Sequence, residues 1–267
     1  MKKVSRKINI GIFGFGNMGK AIFTLLKKNN NFKFFAQDLI KIKKQQNLEE
    51  AKNIEDLYNK SDILFLCIKP QDFLKLKKID FIKNSRKQKI IISIMAGTSI
   101  QKIEKVFSGK IIRTMPNLTL QIGEGVIGWY TKEKLTKKEN KLIMDIFNNF
   151  GFALKVKKEK MLNAITALSG SGPAYVFLFF NALMQSAIKL GFTKKEALGL
   201  VKNTIKGSIS FIEQDENKLD LEDLIKKISS KGGTTEAALK TLNKKEFIKK
   251  WEKAINSSCR RSLELGS

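Results

Sequence analysis

The chain has 267 residues, enough for one large or two ordinary domains with ample core. Its 42% apolar content excludes a disordered protein. The formal charge is +26 and there is no histidine, which excludes a Ser-His-Asp triad, an imidazole acid or base, and a His-ligated metal.

Residues 8–13, INIGIF, read as a short buried strand. GFGNMG follows, and then KAIFTLLKKNN, with Ala21, Ile22, Leu25 and Leu26 at helical spacing. FKFFA (32–36) is the next strand, NIEDLYNKSD (53–62) a short helix, and ILFLCI (63–68) an apolar strand stopped by Lys69-Pro70. FLKLKKIDFI is helical, KIIISIM (89–95) a buried strand, SIQKIEKVF (99–107) a helix, and KIIRTM (110–115) a strand stopped by Pro116. GVIGWYT (125–131) and FALKV (152–156) are strands around the helix KKENKLIMDIFNNF. Continuous apolar strands are buried on both faces, so the sheet is largely parallel. Beyond residue 160 only helical patterns remain: PAYVFLFFNALMQSAIKL, KKEALGLVKNTIKGSISFI, LEDLIKKISS, TTEAALKTLN and EFIKKWEKAINSSCRRSLEL. The fold class is α/β, a Rossmann-type dinucleotide-binding domain over 1–158 followed by an all-α domain over 159–267. The helix at 173–190 is apolar nearly all round in its first turns. It reads either as the core of the helical domain or as a subunit interface.

The positive charge is mostly lysine spread along the chain; the arginines are Arg6, Arg86, Arg113, Arg260 and Arg261. That reads as compositional bias on solvated faces, not as a focused nucleic-acid surface, so no nucleic-acid partner is expected. The alternative uses this charge to bind DNA and has no turnover. Cys67 and Cys259 lack metal-ligand spacing, and no metal is expected. No stretch reaches about 18 uninterrupted apolar residues, so no membrane partner is expected. The first residues contain no signal-peptide core, and a cytoplasmic location follows by default.

Gly14-Phe15-Gly16-Asn17-Met18-Gly19 follows a strand and opens a helix. The first glycine permits a tight turn, the second lets a pyrophosphate approach, and the third allows helix–strand contact. Asp38 stands where an acid would take a ribose 2′-hydroxyl. Lys41, Lys43 and Lys44 follow at once and suit a 2′-phosphate, so NADH and NADPH both stay open. Three strand ends carry unusual punctuation: Cys67-Ile68-Lys69-Pro70, Met95-Ala96-Gly97 and Met115-Pro116-Asn117. They read as ordinary strand stops or as a floor for the ribose and nicotinamide. In the helical half, Ser169-Gly170-Ser171-Gly172 precedes Pro173, and residues 229–235, SSKGGTT, precede EAALKTL. Both look like hydroxyl- and glycine-rich helix starts with exposed amides. Each alone is plain capping; the pair suggests a pocket for a small carboxylate.

These blocks resemble the Δ1-pyrroline-5-carboxylate reductase family. IGIFGFGNMGKAI, LCIKPQ, SIMAGTSI, RTMPNLTLQIGEGV, ALSGSGPAYVF, SSKGGTTEAALKTL and AINSSCRRSLELG run in the family's order from about residue 8 to 266. Lys231 departs from the family's usual proline. The resemblance implies hydride transfer from NADPH, or NADH, to the C=N bond of a cyclic imine, giving L-proline. It implies that Phe13, Gly14, Phe15, Gly16, Asn17, Met18 and Gly19 hold the pyrophosphate and that Asn53 touches the adenosine side. It implies that Cys67, Ile68, Lys69, Pro70, Met95, Ala96 and Gly97 line the ribose and nicotinamide. The substrate carboxylate falls to Gly172, Ser230, Gly233 and Thr234, and Thr235 is the catalytic candidate facing the ring nitrogen. The implied assembly is a homodimer through the C-terminal helices, with decamers as a further association. A second reading is a reductase of a 3-hydroxy acid, which would draw a lysine such as Lys189, Lys202 or Lys206 into catalysis.

Overall fold

The computed structural model describes residues 6–76, 89–214 and 220–266. The chain divides into two compact units: Met1–Pro173 with Ser258–Ser267, and Ala174–Ser257.

The first unit is built on eight strands: β1 Ile8–Phe13, β2 Phe32–Gln37, β3 Leu48–Glu50, β4 Ile63–Leu66, β5 Ile90–Ser93, β6 Lys110–Pro116, β7 Gly125–Tyr130 and β8 Gly151–Lys155. They form one sheet in the order β3-β2-β1-β4-β5-β6-β7-β8. All pairs are parallel except β6 with β7. The exception follows from the connection. A parallel crossover needs a dozen or more residues, whereas Asn117–Glu124 closes through a tight 3-10 turn ending on Gly123 in the left-handed region (φ 78°).

Helices α1 Asn17–Leu26, α2 Ile54–Lys60, α3 Pro70–Phe73, α4 Ile100–Glu104 and α5 Lys137–Asn148 connect these strands. The β-branched and aromatic strands bury both faces. One side packs Ile10, Ile12, Phe34, Phe65, Ile92 and Ile112 under α1 and α5. The other packs Phe13, Leu64, Leu66, Ile91 and Ile111 with Leu57 and Ile103 of α2 and α4. Phe23 and Phe34 meet edge to face, with centroids 5.2 Å apart. β3 was not anticipated: three residues, two of them glutamates, carry too little apolar pattern to announce an edge strand. The expected FLKLKKIDFI helix lies beyond Leu76 largely outside the described residues; Phe73 closes α3.

One expectation is corrected. Residues 169–172 are not a bare loop before a helix. α6 Met161–Ile165, a π-helical turn Thr166–Gly170 and α7 Gly172–Lys189 form a continuous helical run. The Ser171 N–H donates to the Thr166 carbonyl five residues back, at 2.8 Å. The wide turn accommodates Pro173, which has no N–H for the regular ladder. Glycine and serine there suggested a break, but their small side chains serve close packing: a Cβ on Gly170 would lie 2.7 Å from Met115 Cε.

The second unit takes the rest of α7, α8 Lys194–Glu213, α9 Leu221–Ile228, α10 Thr234–Leu242 and α11 Lys244–Gly266 as far as Ser257. α8 begins with a capping box between Thr193 and Glu196. Trp251 packs edge to face against Tyr175 and Phe247. α7 buries no residue, and Val176, Phe177, Leu178 and Phe179 are all about half exposed or more. By length and composition, the run Met161–Lys189 is also long and apolar enough to cross a membrane. Polar residues such as Asn163, Thr166, Ser169 and Asn181 interrupt it, so it is not an unbroken apolar stretch in the sequence.

Candidate active site

The strand order reverses at β1, which lies between β2 and β4. Ligands of such sheets bind beyond the carboxyl ends of the strands at this switch point. The turn after β1 is shaped by its glycines. Gly14 has φ 93°, and a Cβ there would lie 2.7 Å from the Cys67 carbonyl carbon. A Cβ on Gly19 would lie 2.2 Å from the Gly14 oxygen. At Gly16 a Cβ would meet nothing within 4 Å, so protein packing does not require this glycine. Gly16 is also the N-cap of α1, with no side-chain cap and no acid in the first turn. The first amides of α1 thus face outward at the positive helix end, an arrangement that fits a pyrophosphate.

The candidate cofactor residues divide into scaffold and surface. Phe13, Phe15 and Met95 are buried in the core and can offer only backbone atoms. Gly16 and Asn17 are exposed, and Met18 is half-buried. The Cys67 N–H continues the ladder to the Phe13 carbonyl at 2.7 Å, and burial pushes the Cys67 thiol well above its usual range. Ile68 is half-buried, Lys69 is the exposed N-cap of α3, and Pro70 is its first residue. Ala96 is exposed, while Gly97 takes φ 70°. The ends of β1, β4 and β5 are neighbours in the sheet, so these three segments share one edge. Asn53 caps α2, accepting the Asp56 N–H at 2.8 Å.

Three further residues fix this edge. Asp38 accepts the Phe15 N–H, tying the end of β2 to the glycine turn. Glu159 accepts the Ile100 N–H at 2.9 Å and an Arg113 Nη1 bond at 2.9 Å. Asn117 accepts the Val126 N–H and donates to the Ser169 hydroxyl, which fastens the π turn to the end of β6. Glu159 and Arg113 are not among the site residues expected from the sequence. A lone arginine inside the apolar strand KIIRTM was the available signal, because a buried cation requires a partner.

Gly172 lies in the first unit, just after the π turn, inside the helical run and not at a free helix start. The expectation of exposed amides at 169–172 is therefore withdrawn. The second turn keeps its expected form. Gly233 is the N-cap of α10, without a side-chain cap. Gly232 takes φ 75°. Its N–H donates to Glu236 at 2.6 Å, and the Gly233 N–H donates to the Ser230 carbonyl at 3.0 Å. The Ser229 hydroxyl oxygen is buried without a hydrogen-bond partner. Ser230 and Thr234 are exposed, and Gly233 and Thr235 half-buried. The open amides of Thr234 and Thr235 at the start of this nine-residue helix suit a carboxylate. Lys189, Lys202 and Lys206 are all exposed. Among the described residues no cluster of His, Cys, Asp and Glu could hold a metal ion.

Two family models match the chain. One, described as "Pyrroline-5-carboxylate reductase dimerisation", covers residues 159–265, including the apolar run 161–189. The other, "NADP oxidoreductase coenzyme F420-dependent", covers residues 9–97. The pyrroline-5-carboxylate reductase of Aquifex aeolicus is 32% identical, over 99% of this chain and 100% of its own length. The crystal structure of Plasmodium falciparum pyrroline carboxylate reductase with NADP bound is 30% identical, with TM-score 0.83 over 97% of this chain and 98% of that one. The Streptococcus pyogenes 1-pyrroline-5-carboxylate reductase is 28% identical, with TM-score 0.83 over 97% of this chain and 100% of its own.

Proposed function

The chain belongs to the pyrroline-5-carboxylate reductase family, and from that membership we propose that it reduces 1-pyrroline-5-carboxylate to L-proline with NADPH or NADH, the last step of proline biosynthesis. The observation that carries the nucleotide half of this reading is the turn Gly14–Gly19. It stands at the switch point, its middle glycine faces no protein atom, and it opens an uncapped helix.

A bound nicotinamide supplies the hydride. The chain supplies position and field. The α1 amides hold the pyrophosphate, Asn53 takes the adenosine side, and the ends of β4 and β5 form the floor for the ribose and nicotinamide. The Ser230 and Thr234 hydroxyls and the open amides of Thr234 and Thr235, presented by the turn at Gly233, hold the substrate carboxylate. Gly172 contributes as a small residue that lets the substrate approach, not as an amide donor. Thr235 orients the ring nitrogen through its hydroxyl. A protonated imine is already electrophilic, so this hydroxyl acts by position first and as a proton relay second. That economy suits a chain without histidine.

We assign residues 1–158 as the cofactor domain and 159–267 as the helical substrate and dimerisation domain. The dimerisation model over 159–265 and the exposed apolar face of α7 support an oligomer. We assign it as a homodimer through these helices, able to associate further into a decamer. We place the protein in the cytoplasm, where a biosynthetic reductase meets its nicotinamide pool. The test is a turnover assay with each nucleotide and the cyclic imine. Nucleotide oxidation with proline formed supports the reading; oxidation with a 3-hydroxy acid's ketone and none with the imine would replace it.

A further inference from the structure

The cofactor reading leaves open which nucleotide the chain prefers, and the end of β2 bears on it. Asp38 follows β2 directly and carries two backbone bonds. Its Oδ2 accepts the Phe15 N–H, and its Oδ1 accepts the Ile40 N–H at 3.1 Å. The first bond joins the acid to the glycine turn itself. A second tie holds the same corner: the Gly14 N–H donates to the Gln37 carbonyl at 2.9 Å. β2 is the neighbour of β1 at the switch point, with Phe13 in register with Gln37. An acid at this place faces the adenosine ribose of a nucleotide seated on the turn.

Two features make the charge matter. First, the carboxylate cannot swing aside without releasing the Phe15 amide, so its negative charge is fixed beside the turn. An ionised carboxylate has about four acceptor positions, and the two amides leave room for ribose hydroxyls. Second, the nearby cations do not neutralise it. Lys41, Lys43 and Lys44 are exposed, and among the described residues none of them forms an ion pair with Asp38. A 2′-hydroxyl can donate to this group. A 2′-phosphate has no proton to spare at neutral pH and meets a like charge.

We propose that Asp38 sets the nucleotide preference of this chain, accepting the ribose 2′-hydroxyl of NADH and disfavouring the 2′-phosphate of NADPH. This rests on the cofactor reading above, and it sets the chain apart from the relative that was crystallised with NADP.

The test titrates NADH and NADPH separately into the full chain, without the imine, by calorimetry or nucleotide fluorescence. The expected result is NADH binding about tenfold or more tightly than NADPH, the scale of one like-charge contact near a surface. Asp38→Asn keeps an oxygen for the Phe15 amide, gives up the one that accepts from Ile40, and removes the charge; the gap should then shrink by a similar factor, chiefly through tighter NADPH. Should that variant not fold, competition on the unaltered chain by adenosine 5′-monophosphate and adenosine 2′,5′-bisphosphate carries the same comparison. The triple variant Lys41→Gln, Lys43→Gln, Lys44→Gln should keep its NADH affinity. NADPH binding as tightly as NADH, or Asp38→Asn leaving the ratio unmoved, overturns the proposal. Binding of neither nucleotide overturns the cofactor reading instead.

Discussion

Arg113 Nη1 donates to Glu159 Oε1 at 2.9 Å, and the same oxygen accepts the Ile100 N–H at 2.9 Å. One carboxylate oxygen thus ties β6 to the start of α4, next to the turn Met95–Gly97. The Arg113 side chain is only 8% exposed, so removing its partner leaves a buried charge. Glu159→Ala should lower the unfolding free energy by about 3 kcal/mol, as for other broken buried pairs. Glu159→Gln, which keeps the oxygen acceptor, should recover part of the loss. Urea denaturation measures both; an alanine variant as stable as the parent would show that the contact contributes nothing.

Gly16 and Gly19 differ in what surrounds them, and valine should separate the two roles. At Gly19 a Cβ would collide with the Gly14 oxygen, 2.2 Å away. Gly19→Val should destabilise the fold itself. At Gly16 the Cβ has open space, so Gly16→Val should fold normally and lose nucleotide binding. Thermal melting with nucleotide titration distinguishes these outcomes. Normal binding by Gly16→Val would mean that the pyrophosphate loop has been misplaced.

Thr235 is assigned through its hydroxyl. Thr235→Ala should lower kcat/KM for the imine by about 10–100-fold, the size of one hydrogen bond to a charged group, with nucleotide affinity kept. Thr235→Ser should restore most of the rate. Unchanged kinetics in the alanine variant would remove this residue from the site.

Acid stability should depend on Glu139. Burial opposes its ionisation, but bonds from Lys110 and Thr136 prevail and hold its carboxyl below the ordinary value of 4.5. Lys110 Nζ lies 2.8 and 2.6 Å from its two oxygens. A carboxyl depressed in the folded state binds its proton more readily once unfolded. Its contribution is therefore full above the unfolded value and disappears as pH falls through the lower, folded one. Glu139→Gln should lower stability at neutral pH and flatten the stability–pH curve below about pH 4.5. A curve that keeps its acid slope in the variant would locate the titrating group elsewhere.

Most of the first unit could be read from the sequence, because its strands are short apolar runs closed by Pro, Gly or Lys and its helices repeat at 3.6. β1, β2 and β6 fall where INIGIF, FKFFA and KIIRTM put them. Two things escaped. The reversal at β7 depends on connection length, not on the strand's own composition. The run 166–172 has the small residues of a loop, yet Ser171 bonds to Thr166 and Gly170 lies against Met115. There, glycine answers to close packing by a distant strand, which no local pattern reveals. At the site, the glycine turn was legible because its spacing is imposed by one backbone geometry. Glu159 was not, because its two partners lie 46 and 59 residues away.

The most direct measurement supplies purified full chain with 1-pyrroline-5-carboxylate and follows nicotinamide oxidation while proline is quantified. The account predicts one proline formed for each nucleotide oxidised, with at least one of NADH and NADPH. Imine left unreduced with both nucleotides, by protein shown to bind them, would contradict it.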